Sequence, residues 1–304
     1  MANAKEIKRK IGSIKNTGKI TKAMELISTV KMKKAQDLAL EKRAFVLEML
    51  KIFLRVEDYL AEYPLFSSNE KQGGKTLAIV IASNKGLCGG YNVNVMKKVS
   101  SYMKETNEEL DFISIGKKAS QFIAKTGNNL IADFSGEFSD NQDPIFTKKI
   151  SSLVMEEFLS GKYNKVVVFY NFYVNTIKQI AVSETYLPIE SEDIKKYLYA
   201  VLGGEANLEE DLKSLEETYF YDVEPSPQEL VKDVIPMILD MMFFDILLNA
   251  KASEHSSRMV AMKNAKDNAN RIAKNLTTKY NKARQTAITT EVSEITAGVE
   301  SMKG

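Results

Sequence analysis

Apolar residues near both ends of the chain recur at alternating spacings of three and four, which is the repeat of a coiled-coil seam. Residues 5–58 contain no proline and only two glycines, so this stretch predicts one long helix. An early stripe at Ile7, Ile11 and Ile14 lapses and another begins at Ile20, Met24 and Ile27, which predicts a change of face. The later stripe, broken only at Lys42, comprises Ala35, Leu38, Phe45, Met49, Ile52, Val56 and Tyr59.

A second long helix is predicted to begin at Ser226, because Ser226, Pro227 and Glu229 supply an N-cap, a first-turn proline and a capping box. Pro236 lies inside this helix and is expected to bend its first turns. His255 falls on the stripe and is interpreted as a packed, neutral side chain. The stripe comprises Val234, Ile238, Met241, Asp245, Leu248, Ala252, His255, Met259, Met262, Ala269, Ala273, Leu276, Tyr280, Ala283 and Ala287.

Two helices of this length cannot bury their stripes against a small domain, and most simply bury them against each other. Because a large segment separates them, the pair is expected to be antiparallel and to protrude as a rod. An ordinary helical bundle is the alternative that periodicity leaves open.

Between the helices, strand-like and helical patterns alternate, which predicts a mainly parallel sheet with helices on its faces. Residues 76–83 are almost wholly apolar and typical of a buried strand, and a glycine-rich turn follows them. Residues 193–215 are acidic and are expected to contain a variable loop. The fold class is therefore a central Rossmann-like α/β domain at 75–215 with an antiparallel coiled coil from residues 1–60 and 226–304.

Composition narrows the possible chemistry. The chain has 304 residues but one cysteine and one histidine, Cys88 and His255, which excludes a disulfide framework and a multi-histidine metal centre. Net charge is +7 over residues 1–58, −10 over 59–250 and +5 over 251–304, so the two ends are alike and differ from the middle. The basic ends lack the interleaved aromatic residues that would stack nucleic-acid bases, and no nucleic-acid partner is expected.

No complete phosphate-binding motif is present. The stretch around Gly73, Gly74 and Lys75 has Asn69 where a phosphate loop needs its first glycine, and it precedes a strand. The turn at residues 86–91 lacks the glycine spacing of a dinucleotide site. An α/β nucleotide-binding enzyme with helical oligomerisation arms is kept as the alternative function.

Long motifs in all parts of the chain resemble the γ subunits of F-type ATP synthases. They are SIKNTGKITKAM at 13–24, SNKGLCGGYN at 83–92, EHSSRMVAMKNA at 254–265, YNKARQ at 280–285 and ITTEVSEITAG at 288–298. The resemblance covers the whole chain in the family's order. Val299 departs from the family pattern, which has alanine there, as does Pro236.

The resemblance implies the central rotor shaft of a proton- or sodium-translocating ATP synthase, without catalytic residues or a cofactor of its own. Expected partners are the α and β subunits of the catalytic hexamer, the ε subunit and the membrane c ring. The expected location is peripheral, on the cytoplasmic face of a bacterial inner membrane, with no direct insertion. The start of the sequence shows no signal-like or transit-like segment, in line with that expectation.

The resemblance also assigns partner-binding residues by their place in the matched motifs. Arg284 and Gln285 are expected to be catch residues that hydrogen-bond a β-subunit loop. Lys22 and Met24, together with Ala23, are expected to pass the acidic β-subunit loops. Tyr221 and Glu224 are expected to face the c ring and ε. Residues 288–299 are expected to form a tip inside an apolar sleeve of the hexamer.

Overall fold

The computed structural model describes residues 4–41, 43–66, 74–106, 108–140, 143–202 and 226–302. Contacts divide the chain into two compact units, one of residues 1–29 and 258–304 and the other of residues 30–257. Each unit contains a part of both terminal helices, α1 (Ala4–Glu41) and α7 (Pro227–Ser301), and the second unit contains all the elements between them. The three-part division predicted from the sequence stays a prediction.

The described elements between α1 and α7 alternate much as predicted. In chain order they are α2 (Arg43–Val56), a 3₁₀ helix (Glu57–Glu62), β1 (Lys75–Ile81), α3 (Tyr91–Glu105), β2 (Leu110–Ile115), α4 (Lys117–Thr126), β3 (Asn129–Asp133), α5 (Pro144–Leu159), β4 (Tyr163–Tyr173), β5 (Gln179–Leu187) and α6 (Ser191–Leu202).

The sheet has the strand order β3-β2-β1-β4-β5, and only the pairing of β4 with β5 is antiparallel. The chain winds outward from β1 to β3 and then crosses back through α5 to place β4 beside β1. This doubly wound arrangement confirms the predicted mainly parallel sheet and is Rossmann-like in its parallel part.

Alternate residues of β1 supply two cores because successive side chains of a strand point to opposite faces. Ala78 and Val80 pack with the helices α3 and α4. Leu77, Ile79 and Ile81 pack on the other face with α2, α5, α6 and the first turns of α7. Both faces of β1 are thus buried, which explains its unbroken apolar sequence.

Local signals fix where several of these elements begin. Asp143 caps α5 by accepting a hydrogen bond from the Ile145 amide at 2.9 Å, with Pro144 in the first turn. Ser226 Oγ accepts one from the Glu229 amide at 3.2 Å, as the predicted start of α7 requires. Gly116, at φ +96°, precedes α4 where an added Cβ would lie 2.0 Å from the Ala82 carbonyl oxygen, so only glycine fits.

The apolar stripe predicted for residues 35–59 is buried at Ala35, Met49 and Val56 but is wrong at two of its later positions. Phe45 and Tyr59 are 49% and 40% exposed. The buried residues of α2 and the following turn are Val46, Met49, Leu50, Phe53, Val56 and Leu60. This wider stripe arises because α2 packs on α6 and the sheet core, as a surface helix of a globular domain does, and not on one partner helix.

The acidic stretch 193–215, which is expected to contain a loop, begins within α6 (Ser191–Leu202), and its remainder lies outside the described residues. Ile194, Leu198 and Leu202 are buried one turn apart. Its acidic residues, Glu192 and Asp193, stand in the first turn, where they stabilise the positive end of a helix. Acidity there indicates a helix start.

Candidate functional site

In the unit of residues 1–29 and 258–304, α1 and α7 pair in antiparallel directions. A Cβ on Gly18 would lie 3.6 Å from the Ala269 Cβ, and Glu25 contacts Lys266 at 2.7 Å, so residue numbers rise along one helix as they fall along the other. This confirms the antiparallel coiled coil predicted from the two stripes.

The seam of this pair is continuous on both helices at alternating spacings of four and three. On α1 the least exposed side is made by Ile7, Ile11, Ile14, Gly18, Thr21, Glu25 and Ser28. On α7 it is made by Met262, Lys266, Ala269, Ala273, Leu276, Tyr280 and Ala283. The C-terminal stripe is therefore confirmed as a seam from Met262 to Ala283, whereas Ala287 is exposed. It is wrong as a seam over its first part, because Val234 and Ile238 pack in the sheet core of the other unit.

The predicted change of face on α1 is wrong. The seam does not move to Ile20 and Ile27, which are more than half exposed, but continues through glycine, threonine, glutamate and serine. Small seam residues let two helix backbones approach closely, and this allows the apolar residues to face outward. Thr21 satisfies its hydroxyl inside α1 by donating to the Thr17 and Gly18 carbonyls, both at 3.1 Å.

The outward side of α1 carries the N-terminal candidates. Lys22 and Ala23 are exposed, and Met24 is half-buried beside the seam. Ile20 and Ile27 are 61% and 54% exposed next to them. An exposed surface that alternates apolar side chains with a cation is suited to a partner protein that offers apolar and acidic groups.

The last turns of α7 carry the C-terminal candidates. Every residue from 284 to 302 is exposed, including Arg284 and Gln285, so these two side chains are available to a partner. Beyond them, apolar residues repeat on one face at spacings of four and three, and each is at least half exposed: Ile288, Val292, Ile295, Val299 and Met302. Such a stripe on a helix normally marks a surface that another protein covers.

Tyr221 and Glu224 lie outside the described residues. The structure thus places four of the six predicted partner-binding residues, and does so in two groups: Lys22 and Met24 on α1, and Arg284 and Gln285 near the end of α7.

The carboxyl end of the parallel strands, where α/β folds bind nucleotides, is covered by α7 in the unit of residues 30–257. Tyr91, after β1, donates its hydroxyl to the Ala250 carbonyl at 3.1 Å, and Asn171 of β4 donates its amide to the Tyr91 carbonyl at 3.0 Å. Ser256 donates to the Thr176 carbonyl at 2.6 Å. Side chains of this chain therefore occupy the place of a ligand.

Of the two glycine-containing stretches, the one after β1 is a turn held by its own side chains, and the described part of the other leads into β1. In the turn after β1, Asn92 Oδ1 accepts a hydrogen bond from the Ser83 backbone amide at 3.0 Å. Cys88 is buried there, and its Sγ accepts a hydrogen bond from the Asn92 side-chain amide at 3.2 Å. Lys75 lies within β1 and pairs with Glu109 at 2.6 Å.

A polar cluster that sequence reasoning missed lies in the same unit. Asp140, in the segment between β3 and α5, contacts Lys31 of α1 at 2.5 Å and both His255 and Lys251 of α7, at 3.1 and 3.5 Å. His255 is thus buried as predicted, but its partner is a carboxylate. The hydrogen bond from His255, helped by Lys31 and Lys251, holds the pKa of Asp140 well below its usual range. No sequence spacing relates residues 31, 140 and 255, so only the fold reveals the cluster.

Within the described ranges, no group of three or more His, Cys, Asp or Glu side chains is arranged to hold a metal ion. No helix in the same ranges combines the length and apolar character that crossing a bilayer requires.

Known proteins of one family match this chain over nearly its full length. A family model described as ATP synthase matches residues 3–302. The ATP synthase gamma chain of Akkermansia muciniphila is 34% identical over 305 residues, with both chains fully covered, and that of Halothermothrix orenii is 35% identical with the same coverage.

Solved structures share the fold. A chain of the Euglena gracilis mitochondrial ATP synthase, in a structure of its OSCP, F1 and c-ring, superposes with a TM-score of 0.64 at 18% identity, covering 98% of this chain and 94% of that one. A chain of the Tetrahymena thermophila mitochondrial ATP synthase central stalk and c-ring gives 0.58 at 23% identity, covering 81% and 99%.

Proposed function

This chain belongs to the ATP synthase γ-chain family, and we propose on that premise that it is the central rotor stalk of an F-type ATP synthase. It couples rotation of the membrane c ring, driven by proton or sodium flow, to conformational cycling of the catalytic β subunits. The observation that carries the proposal is the antiparallel pairing of α1 and α7 around Gly18–Ala269 and Glu25–Lys266. Two paired helices resist bending and twisting better than one, as a shaft must.

The exposed end of α7 is the tip of the shaft in this proposal. Its stripe from Ile288 to Val299 lies in an apolar sleeve formed by the α and β subunits. Contacts between apolar surfaces are non-directional, so such a sleeve holds the tip without favouring one angle strongly.

Arg284 and Gln285 act as catch residues at the entrance to that sleeve. Both are exposed on α7, and a planar guanidinium suits a carboxylate or carbonyl oxygen on a β-subunit loop. Lys22 and Met24 make the corresponding contacts from α1. Charge supports this assignment, because the helix-rich ends carry net positive charge and would be attracted to acidic β-subunit loops. Exposed charge pairs are individually weak, so the attraction does not lock the rotor.

The chain is a non-catalytic subunit, and nucleotide chemistry belongs to the β subunits. Against the alternative of an α/β nucleotide-binding enzyme stands the carboxyl end of the sheet, which α7 covers through the Ala250 carbonyl, bonded by Tyr91, and through Ser256, bonded to the Thr176 carbonyl. No cofactor is proposed.

The protein is a peripheral part of the membrane-bound complex, and in a bacterium it would lie at the cytoplasmic face of the inner membrane. The c ring and the ε subunit bind the α/β part of the chain, through the region that contains Tyr221 and Glu224.

Co-purification tests the function directly. The tagged chain is expressed together with the α and β subunits of its own complex, and the recovered material is assayed for composition and ATP turnover. We expect one copy per hexamer and turnover only when β subunits are present. Turnover by the chain alone, or a hexamer that forms without retaining it, would reject the proposal.

A further inference from the structure

The two ammonium groups and the imidazole that meet at Asp140 come from the two terminal helices. Its Oδ2 lies 2.5 Å from the Lys31 Nζ of α1, and its Oδ1 lies 3.1 Å from His255 Nε2 and 3.5 Å from the Lys251 Nζ of α7. One carboxylate therefore binds both helices at once. We call these four residues the Asp140 clasp.

The α7 side of the clasp is buried. Lys251 and His255 are each 3% exposed, and the Lys251 ammonium also contacts Glu254 at 3.3 Å and lies 3.8 Å from the centre of the Phe138 ring. A buried ammonium is costly unless anions face it, so Asp140 and Glu254 are needed to hold Lys251 in place.

The segment that carries Asp140 is itself fixed to the sheet. Phe138 is buried and stacks on Phe146 of α5, and its carbonyl accepts a hydrogen bond from Asn84 at 2.6 Å. Asn84 in turn accepts from the Lys117 amide at the start of α4, at 2.9 Å. Asp140 is thus joined through a short segment, anchored at Phe138, to the residues that follow β1 and β2.

The clasp lies close in sequence to the division between the two units. Lys31 follows Thr29, the last residue of the N-terminal part of the coiled-coil unit, by two positions, and His255 precedes Arg258, where that unit resumes, by three. Both helices are therefore held to the α/β unit within one turn of leaving it.

We propose that Asp140 is a positioning residue for torque transmission, an inference that rests on the rotor function above. The chain passes from the α/β unit into the shaft within α1 and α7, and a helix that slips relative to the sheet absorbs twist. Charge-assisted hydrogen bonds are short and directional, so they resist such slippage better than apolar contacts, which permit sliding. The Asp140 clasp makes both helices turn with the sheet.

The test uses the assembled synthase. Angular fluctuation of a bead fixed to the α/β unit is recorded during pauses of ATP-driven rotation, and ions pumped per ATP are measured in vesicles. We expect Asp140→Asn to about double the mean-square angle, since neutral hydrogen bonds are roughly half as strong as charge-assisted ones. The ions pumped per ATP should fall while ATP turnover persists.

Glu137→Gln is the matched control, because Glu137 lies in the same segment but pairs with Lys149 at 2.9 Å, away from the clasp. It should leave the angular fluctuation unchanged. If Asp140→Asn lowers the yield of assembled complex without widening the angle of the complexes that form, the clasp only stabilises the fold and the inference is wrong.

Lys31→Met keeps the inference testable if Asp140→Asn does not assemble. Lys31 is 41% exposed, so its removal leaves no buried charge unpaired, yet it frees α1 from Asp140. The mean-square angular fluctuation of the bead should increase, by less than for Asp140→Asn. An unchanged fluctuation would reject the proposed role of the Asp140 clasp. Failure of the rotor function itself would be seen separately, as a wild-type chain that does not rotate in the hexamer.

Discussion

Glu25 of α1 and Lys266 of α7 face each other across the coiled-coil seam, with Oε2 and Nζ 2.7 Å apart. Both occupy positions where a coiled coil normally has an apolar residue. A polar pair at such positions costs stability but allows only one alignment of the two helices. This pair therefore fixes the antiparallel register of a seam whose neighbouring members, Gly18, Thr21, Ser28 and Ala269, are small.

Reversing one charge of that pair should weaken the helix pairing. We expect Glu25→Lys and Lys266→Glu each to lower the free energy of unfolding, because each change places two like charges against each other on the seam. The double swap should recover most of the loss. Denaturant unfolding measures all three variants, and Lys263→Glu, at an exposed position off the seam, is the control for net charge. No recovery in the double swap would mean that the pair does not set the register.

The two glycines of α1 should respond differently to a large side chain. A Cβ at Gly18 meets Ala269 at 3.6 Å, whereas a Cβ at Gly12 meets nothing within 4 Å. Alanine should stabilise at both positions by up to about 1 kcal/mol through helix propensity. Leucine should remain harmless at Gly12 but force the helices apart at Gly18. Thermal unfolding distinguishes the two cases, and equal effects of leucine would contradict the close packing at Gly18.

Acid should unfold the chain partly through Asp140. Its pKa is lowered in the folded state, chiefly by the hydrogen bond from His255, relative to about 3.9 in an unfolded chain. The contribution of Asp140 to the free energy of unfolding is therefore complete above about pH 3.9 and is lost as the pH falls below that value. The free energy of unfolding, measured from about pH 7 to about pH 3, should fall less steeply for Asp140→Asn than for the wild type. A parallel pH dependence, with Glu137→Gln as the control, would show that Asp140 is not the responsible group.

Removing the catch residues should reduce turnover without preventing assembly. Arg284 and Gln285 are exposed on α7 and pack on nothing in the described part of the chain that their loss would unfold. We expect Arg284→Ala with Gln285→Ala to lower the ATP turnover of the assembled complex by about tenfold, as loss of a charged hydrogen bond of 1.4 kcal/mol would. The exposed pair Lys274 and Asn275, changed to alanine, is the control. Unchanged turnover of the first variant would remove the catch role.

The regular elements of the α/β part could be predicted from sequence because their signals are local. The apolar run of β1 and the Ser226 cap of α7 each depend on adjacent residues, and the structure has them as predicted. The same holds for the alanine-rich seam of α7 between Met262 and Ala283.

The features that could not be predicted from the sequence are those that depend on which surfaces of the fold contact each other. Ile20 and Ile27 have the apolar character of seam residues, yet they lie outward because Gly18, Thr21 and Ser28 allow a closer approach. Phe45 is exposed because α2 turns a wider stripe to the sheet core. The Asp140 clasp joins residues more than a hundred positions apart, and no periodicity records such a contact.

Observation of rotation tests the central claim most directly. The chain is assembled with its α and β subunits, the hexamer is fixed to a surface, and a bead is attached to the α/β unit through Lys104→Cys, an exposed position. Addition of ATP should make the bead turn in one direction in discrete steps. ATP hydrolysis by complexes that contain the chain but never turn the bead would contradict its role as a rotor.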